Sequence, residues 1–150
     1  MGLREQILEH QKESLRARET ARLSVLRLLM AQIKNREIDK GKGAVLSDDE
    51  IVDTIISMVR KMDESIESFV KGGRQDLADK ERTEQTILKA YLPEPLSEPD
   101  LDRLVSEALK ETGASGPKGM GAVMQWLNPR TKGRADNRVV SQKVKAALGS

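Results

Sequence analysis

The chain contains no cysteine and only one histidine, His10. These scarcities exclude a disulfide framework, a zinc cluster built from cysteine and histidine, and a thiol nucleophile. Aromatic residues are equally scarce, since only Phe69, Tyr91 and Trp126 occur among 150 residues. A core must therefore be filled by aliphatic side chains and methionine, a composition that favours helices over a β-sandwich or a β-barrel.

Long apolar runs are also missing. No segment approaches the roughly 18 apolar residues that a membrane-spanning helix needs. The first ten residues, MGLREQILEH, carry charges where a secretory signal would have an apolar centre. Because hydrophobic residues still make up 37% of the chain, it is expected to fold rather than stay disordered. We therefore predict a cytoplasmic protein without a membrane partner.

The net charge of +2 conceals an uneven distribution of charge. Residues 1–42 contain 10 Lys and Arg against 6 Asp and Glu, and residues 43–112 contain 9 against 17. Residues 113–150 contain 7 Lys and Arg against a single acid, Asp136. A basic C-terminal quarter of this kind is a pattern found in proteins that bind nucleic acids.

The pattern of residues predicts helices in the N-terminal part of the chain. Residues 3–38 lack glycine and proline and are rich in helix formers, so one helix is expected there, with Leu15 on its apolar stripe. A slight break near residues 9–13, where the stripe is thin, is the alternative. Ser47 and Glu50 have the spacing of a capping box at the start of a second helix. A third helix is expected over residues 75–91.

Three prolines between residues 93 and 99 mark a boundary, because proline cannot continue a helix. Three short helices are expected after it. The first is capped by Ser97 and ends at Gly113, and the last is capped by Asp136. The predicted fold is therefore all-α, with an N-terminal helical hairpin or three-helix domain over residues 1–93. A small three-helix domain over residues 97–150 follows it.

The glycine-rich segment at residues 113–121 precedes a predicted helix, so its backbone N–H groups can hold a phosphate. It is neither a Walker A loop nor a Rossmann turn, since it has no GK[ST] at the right spacing and no preceding strand. A structural interpretation, in which the glycines form helix caps and turns, is favoured over phosphate binding by about two to one.

Two interpretations of the basic C-terminal residues stay open. In one, the cations hold phosphates and Trp126 stacks on a base. In the other, the cations only solubilise the surface and Trp126 lies half-buried at the edge of a small core. The candidate nucleic-acid-binding residues are Lys118, Trp126, Arg130, Lys132, Arg134, Arg138 and Lys143.

No catalytic, cofactor-binding or metal-binding residue is predicted. Carboxylate pairs such as Asp63 and Glu64 fit solvated helix faces better than a shared catalytic cleft. The single histidine, His10, is predicted to lie at the surface. The helical serines have no nearby histidine or lysine arrangement that would activate a nucleophile.

Four segments resemble the GatB/YqeY family: KNREID (34–39), AYLPEPLSE (90–98), ETGASGPKGMGAVM (111–124) and KGRADNRVV (132–140). The resemblance covers essentially the whole chain and is closest to the stand-alone YqeY-like members. It also implies similarity between the C-terminal domain and the tail domain of GatB, a subunit of the tRNA-dependent amidotransferase. In that assembly the tail domain is expected to contact tRNA, while the chemistry occurs elsewhere in GatB.

Three functional hypotheses follow. The leading one is an accessory protein that binds tRNA, or a tRNA-bearing complex such as an amidotransferase, through its basic C-terminal domain. The second is the activity that the family resemblance implies, a carbon–nitrogen ligase with glutamine as amido-N-donor, although no catalytic site can be assembled from these residues. The third is a helical adaptor that binds a protein partner.

Overall fold

The computed structural model describes residues 2–149, and all regular secondary structure in that range is helical. The predicted all-α fold is confirmed. Contacts between Cα atoms divide the chain into two compact units, one ending at Leu92 and the other beginning at Pro93. The segment 93–96 thus groups with the C-terminal unit. The assignment of residues 1–93 and 97–150 as separate domains stays a prediction.

Four helices form the N-terminal unit. The capping box at the start of the third is confirmed, because Ser47 Oγ accepts from Glu50 N and Glu50 Oε1 accepts from Ser47 N. Lys40 Nζ lies 2.8 Å from the same carboxylate. The hydrogen bonds from Lys40 and the Ser47 backbone lower the pKa of Glu50 to about 2. The helices are α1 (Leu3–Arg16), α2 (Thr20–Lys40), α3 (Asp48–Lys71) and α4 (Gln75–Lys89).

The helix expected over residues 3–38 is in fact divided between α1 and α2, and the break lies at residues 17–19 rather than near residues 9–13. Arg18 adopts a left-handed backbone with φ of 57°. Glu19 N donates to Ser14 O at 2.9 Å, and Arg18 N donates to Leu15 O at 3.3 Å. These are the two hydrogen bonds of a Schellman motif, with arginine at the position that usually holds glycine. Because the chain turns here, Leu15 leaves the predicted apolar stripe and is 58% exposed.

Aliphatic residues from all four helices fill the core of the N-terminal unit, and two polar side chains join elements across it. Glu37 on α2 forms an ion pair with Arg4 on α1 and accepts from Leu46 N at 2.9 Å. Gln85 on α4 is buried, and its Nε2 donates to a backbone carbonyl and a carboxylate of α3. The fully buried large residues are Ile7, Val25, Leu26, Leu29, Ile33, Ile51, Ile55 and Leu88.

Three helices form the C-terminal unit: α5 (Glu98–Thr112), α6 (Met120–Thr131) and α7 (Asn137–Ala147). A 3₁₀ turn over Pro117–Gly119 leads into α6. The predicted caps are confirmed, since the side chain of Ser97 accepts from Asp100 N and that of Asp136 accepts from Arg138 N. The core consists of Leu101, Val105, Ala108, Val123, Leu127, Val140, Val144 and Leu148.

Candidate nucleic-acid interface

Most of the acidic and most of the basic residues of the C-terminal unit lie on different elements, and the unit as a whole is only weakly basic. Residues 93–150 contain 9 Lys and Arg against 7 Asp and Glu, and five of those acids lie on α5. The candidate cations lie instead on the 3₁₀ turn, on α6, on the corner after α6 and on α7. The excess of positive charge in residues 113–150 is therefore a feature of one part of this unit.

Trp126 and Arg130 lie one turn apart on α6 and are brought together. The guanidinium carbon of Arg130 lies 3.6 Å from the centre of the indole ring, and Arg130 Nη1 donates to Trp126 O at 2.5 Å. The indole is half-buried and packs against the small core, while Arg130 is exposed. A cation stacked on a tryptophan keeps its fixed orientation and still has further N–H donors for an anion.

Arg134 forms structural hydrogen bonds in addition to carrying a charge. Its Nε donates to Glu94 O at 2.9 Å, and its backbone oxygen accepts from Leu96 N at 2.9 Å. These bonds fasten the proline-containing segment to the corner between α6 and α7. The sequence places Arg134 among phosphate ligands, but no residue pattern indicates this contact across 40 positions.

Lys143 forms ion pairs with two carboxylates of α5, in the same unit. Its Nζ lies 2.7 Å from Asp102 Oδ1 and 3.3 Å from Glu98 Oε1, and its side chain is 21% exposed. The hydrogen bond with Asp102 is the main reason why the pKa of Lys143 is raised. This charge is largely compensated within the protein, so Lys143 is the least available of the candidate residues.

Lys118, Lys132 and Arg138 are all exposed. Lys118 lies on the 3₁₀ turn and Lys132 follows the last residue of α6. Arg138 Nη2 lies 3.7 Å from Asp136 Oδ2, but its side chain is 75% exposed. An ion pair this long and this exposed contributes little, so Arg138 can exchange it for a phosphate.

The glycine-rich segment supports the interpretation as caps and turns. Gly113 ends α5 in the left-handed region, with φ of 65°. A Cβ built at Gly119 would lie 2.6 Å from the Cβ of Ala114, so this position has no room for a side chain. Within residues 2–149 no cluster of three or more His, Cys, Asp or Glu has the arrangement of a metal site.

Sequence reasoning missed a polar contact in the N-terminal unit. His10 on α1 was predicted at the surface, but it is half-buried, with Nδ1 2.6 Å from the hydroxyl of Tyr91. The two rings are 5.6 Å apart between centroids. The two residues are 81 positions apart, so no local pattern could have paired them.

None of the helices in the described part of the chain is both long and apolar enough to cross a membrane. Comparison with known proteins gives a match to a family model described as "Yqey-like protein" over residues 4–148. These boundaries include α1 to α7 almost completely.

Three curated fungal relatives carry the name "Altered inheritance of mitochondria protein 41, mitochondrial". One from Pyrenophora tritici-repentis is 30% identical over 142 residues, which are 93% of this chain and 77% of the relative. One from Lachancea thermotolerans is 35% identical and one from Candida glabrata 31% identical, each over 71% of this chain. The chain spans 57% and 59% of the length of these two relatives.

The names of these relatives overturn one prediction. A cytoplasmic location was expected from the sequence, whereas all three relatives are named as mitochondrial proteins. The prediction was wrong because it rested on the lack of apolar segments of the kinds found in membrane spans and secretory signals. Mitochondrial targeting segments are amphipathic rather than apolar, so that lack does not decide the compartment.

Proposed function

Because the chain belongs to the Yqey-like protein family, we propose that it is an accessory protein that binds tRNA through the basic part of its C-terminal unit. The observation that carries this proposal is the stack of Arg130 on Trp126. An exposed guanidinium held on an indole offers N–H donors for a phosphate and a planar face on which a base can stack.

Neighbouring cations extend this surface. Lys118, Lys132 and Arg138 are exposed and lie on the elements that flank Arg130 in the chain. Contacts from such residues to phosphates give affinity without reading a base sequence. We define the proposed tRNA surface as Lys118, Trp126, Arg130, Lys132 and Arg138, with Arg134 and Lys143 in supporting positions.

The resemblance of the C-terminal segments to the GatB tail domain supports tRNA as the nucleic acid and an amidotransferase complex as the setting. A tail-like unit contributes contact with tRNA and leaves the amidation chemistry to its partner. The proposal therefore assigns no catalytic residue to this chain.

The proposal is tested by titrating bulk tRNA into the full chain and following the fluorescence of Trp126, which is the single tryptophan. We expect the Lys118→Glu/Arg138→Glu variant to bind at least about tenfold more weakly than the unmodified protein, because two phosphate contacts become repulsive. Arg134 is unsuitable for this test, because its replacement also releases the segment at Glu94.

A matched control carries the same change of charge elsewhere. Lys61 on α3 and Lys80 on α4 are exposed, so the Lys61→Glu/Lys80→Glu variant has the same net charge and no change in the proposed surface. Equal loss of tRNA affinity in both variants would contradict the assignment, because binding would then follow net charge alone.

A further inference from the structure

A pocket of about 450 Å³ lies within the N-terminal unit, between α1, α2 and the end of α4. Its volume is in the range of small-molecule sites, which are mostly apolar with a few convergent polar groups. Here the apolar lining includes Leu3 and Ile87, and the polar lining includes Gln6, His10 and Arg22.

The side chains of His10 and Tyr91 contact each other and line one side of the pocket. The Tyr91 hydroxyl lies 2.6 Å from His10 Nδ1, within hydrogen-bonding distance, and the ring centroids are 5.6 Å apart. The rings also hold each other in place, so this wall is ordered before any ligand arrives.

Among the described residues that line the pocket, Arg22 is the one with a permanent charge. Arg22 Nη1 lies 3.3 Å from Oε2 of Glu19, which precedes it by three residues. The Arg22 side chain is 32% exposed. A guanidinium has five N–H donors in a planar fork that matches a carboxylate or a phosphate. The Thr86 hydroxyl donates to a backbone carbonyl of α4, and Arg22 also forms a hydrogen bond with the Tyr91 side chain. The donors left for a ligand are the remaining N–H groups of Arg22 and the amide of Gln6.

From this arrangement we propose that the pocket binds a small organic anion, a carboxylate or phosphate attached to an apolar body. The Arg22 fork holds the oxyanion, and the apolar body packs against Ile87 and the ring of Tyr91. This site is independent of the proposed tRNA surface, since every residue it uses lies in the N-terminal unit.

The test is an NMR titration of the full chain with benzoate, phenyl phosphate and inorganic phosphate as separate probes. We expect amide shifts around the pocket with at least one organic probe and weaker ones with inorganic phosphate, which has no apolar body. Preference for benzoate or phenyl phosphate then identifies the oxyanion. The absence of saturable shifts at the pocket with all three probes would overturn the proposal.

Variants distinguish the Arg22 fork from general charge. Arg22→Gln is expected to weaken binding at least about tenfold, the loss typical of a charged hydrogen bond. Glu19→Gln is expected to tighten it up to about fivefold, because it frees the guanidinium from an exposed ion pair. Tighter binding in Glu19→Gln is a result that a purely structural role of Arg22 would not give.

The chain offers a matched control in Arg82, which pairs with Asp79 at 2.9 Å with the same spacing of three residues. Arg82→Gln should leave binding of the probes unchanged, and equal loss in Arg22→Gln and Arg82→Gln would contradict the proposal. If Arg22→Gln fails to fold, Arg22→Lys keeps the charge but not the fork and should still bind more weakly. The Lys118→Glu/Arg138→Glu variant should bind the probes normally, which separates this site from the tRNA proposal.

Discussion

Replacement of Arg18 by glycine is expected to stabilise the protein. Arg18 holds φ of 57° at the turn between α1 and α2, and a residue with a Cβ is strained there by about 1–2 kcal/mol. Glycine removes that strain but adds about 0.4–1 kcal/mol of conformational freedom to the unfolded chain. The net gain is about 0.5–1 kcal/mol in the free energy of unfolding.

Thermal and urea unfolding of Arg18→Gly measure this gain directly. For a chain of this size the melting temperature should rise by about 1–4 °C. Arg18→Ala is the control, because it removes the same charge and side chain but retains the Cβ and its strain. If Arg18→Gly is no more stable than Arg18→Ala, the left-handed turn is not a source of strain and the reasoning is refuted.

Three further predictions concern side chains that join elements of the N-terminal unit. Glu37→Ala should lower the free energy of unfolding by about 1–3 kcal/mol, because Arg4 and the N–H of Leu46 lose their acceptor; urea denaturation checks this. Gln85→Ala should lower it by a similar amount, about 1–3 kcal/mol, through loss of two hydrogen bonds to α3, and an unchanged denaturation midpoint would argue against it. The folded-state pKa of Glu50 is lowered from 4.5 to about 2, so its contribution is complete above pH 4.5 and is lost as the pH falls towards 2. Urea midpoints measured between pH 2 and 6 should therefore vary less in Glu50→Gln than in the unmodified protein.

Much of the architecture follows from local residue patterns. The scarcity of aromatic residues, the caps at Ser47, Ser97 and Asp136, and the glycine at position 113 predicted helices and several of their ends. Helix caps depend on residues within one turn of the helix end, so a few neighbouring positions in the sequence are enough to predict them.

The break between α1 and α2 was not predictable in the same way. Residues 17–19 contain neither glycine nor proline, and the left-handed residue is an arginine. The turn is retained because helices on both sides bury apolar faces in one core. Tertiary packing thus overrides a local preference for a continuous helix.

The candidate sites depend on contacts between distant residues. Sequence reasoning could identify the basic residues but not that Lys143 would pair with Asp102, 41 positions away, while Arg138 stayed exposed. It also placed His10 at the surface, because the partner Tyr91 lies at the other end of the N-terminal unit in sequence. Charged residues can be counted from the sequence, but whether a charge is free to bind a ligand depends on its contacts in the fold.

The salt dependence of tRNA binding tests the central claim most directly. Phosphate contacts from Lys118, Arg130, Lys132 and Arg138 should give a plot of log affinity against log salt concentration with a slope of about −2 to −4. The Lys118→Glu/Arg138→Glu variant should have a shallower slope, whereas the Lys61→Glu/Lys80→Glu control should keep the original one. A slope near zero, or absence of tRNA binding at low salt, would contradict the account.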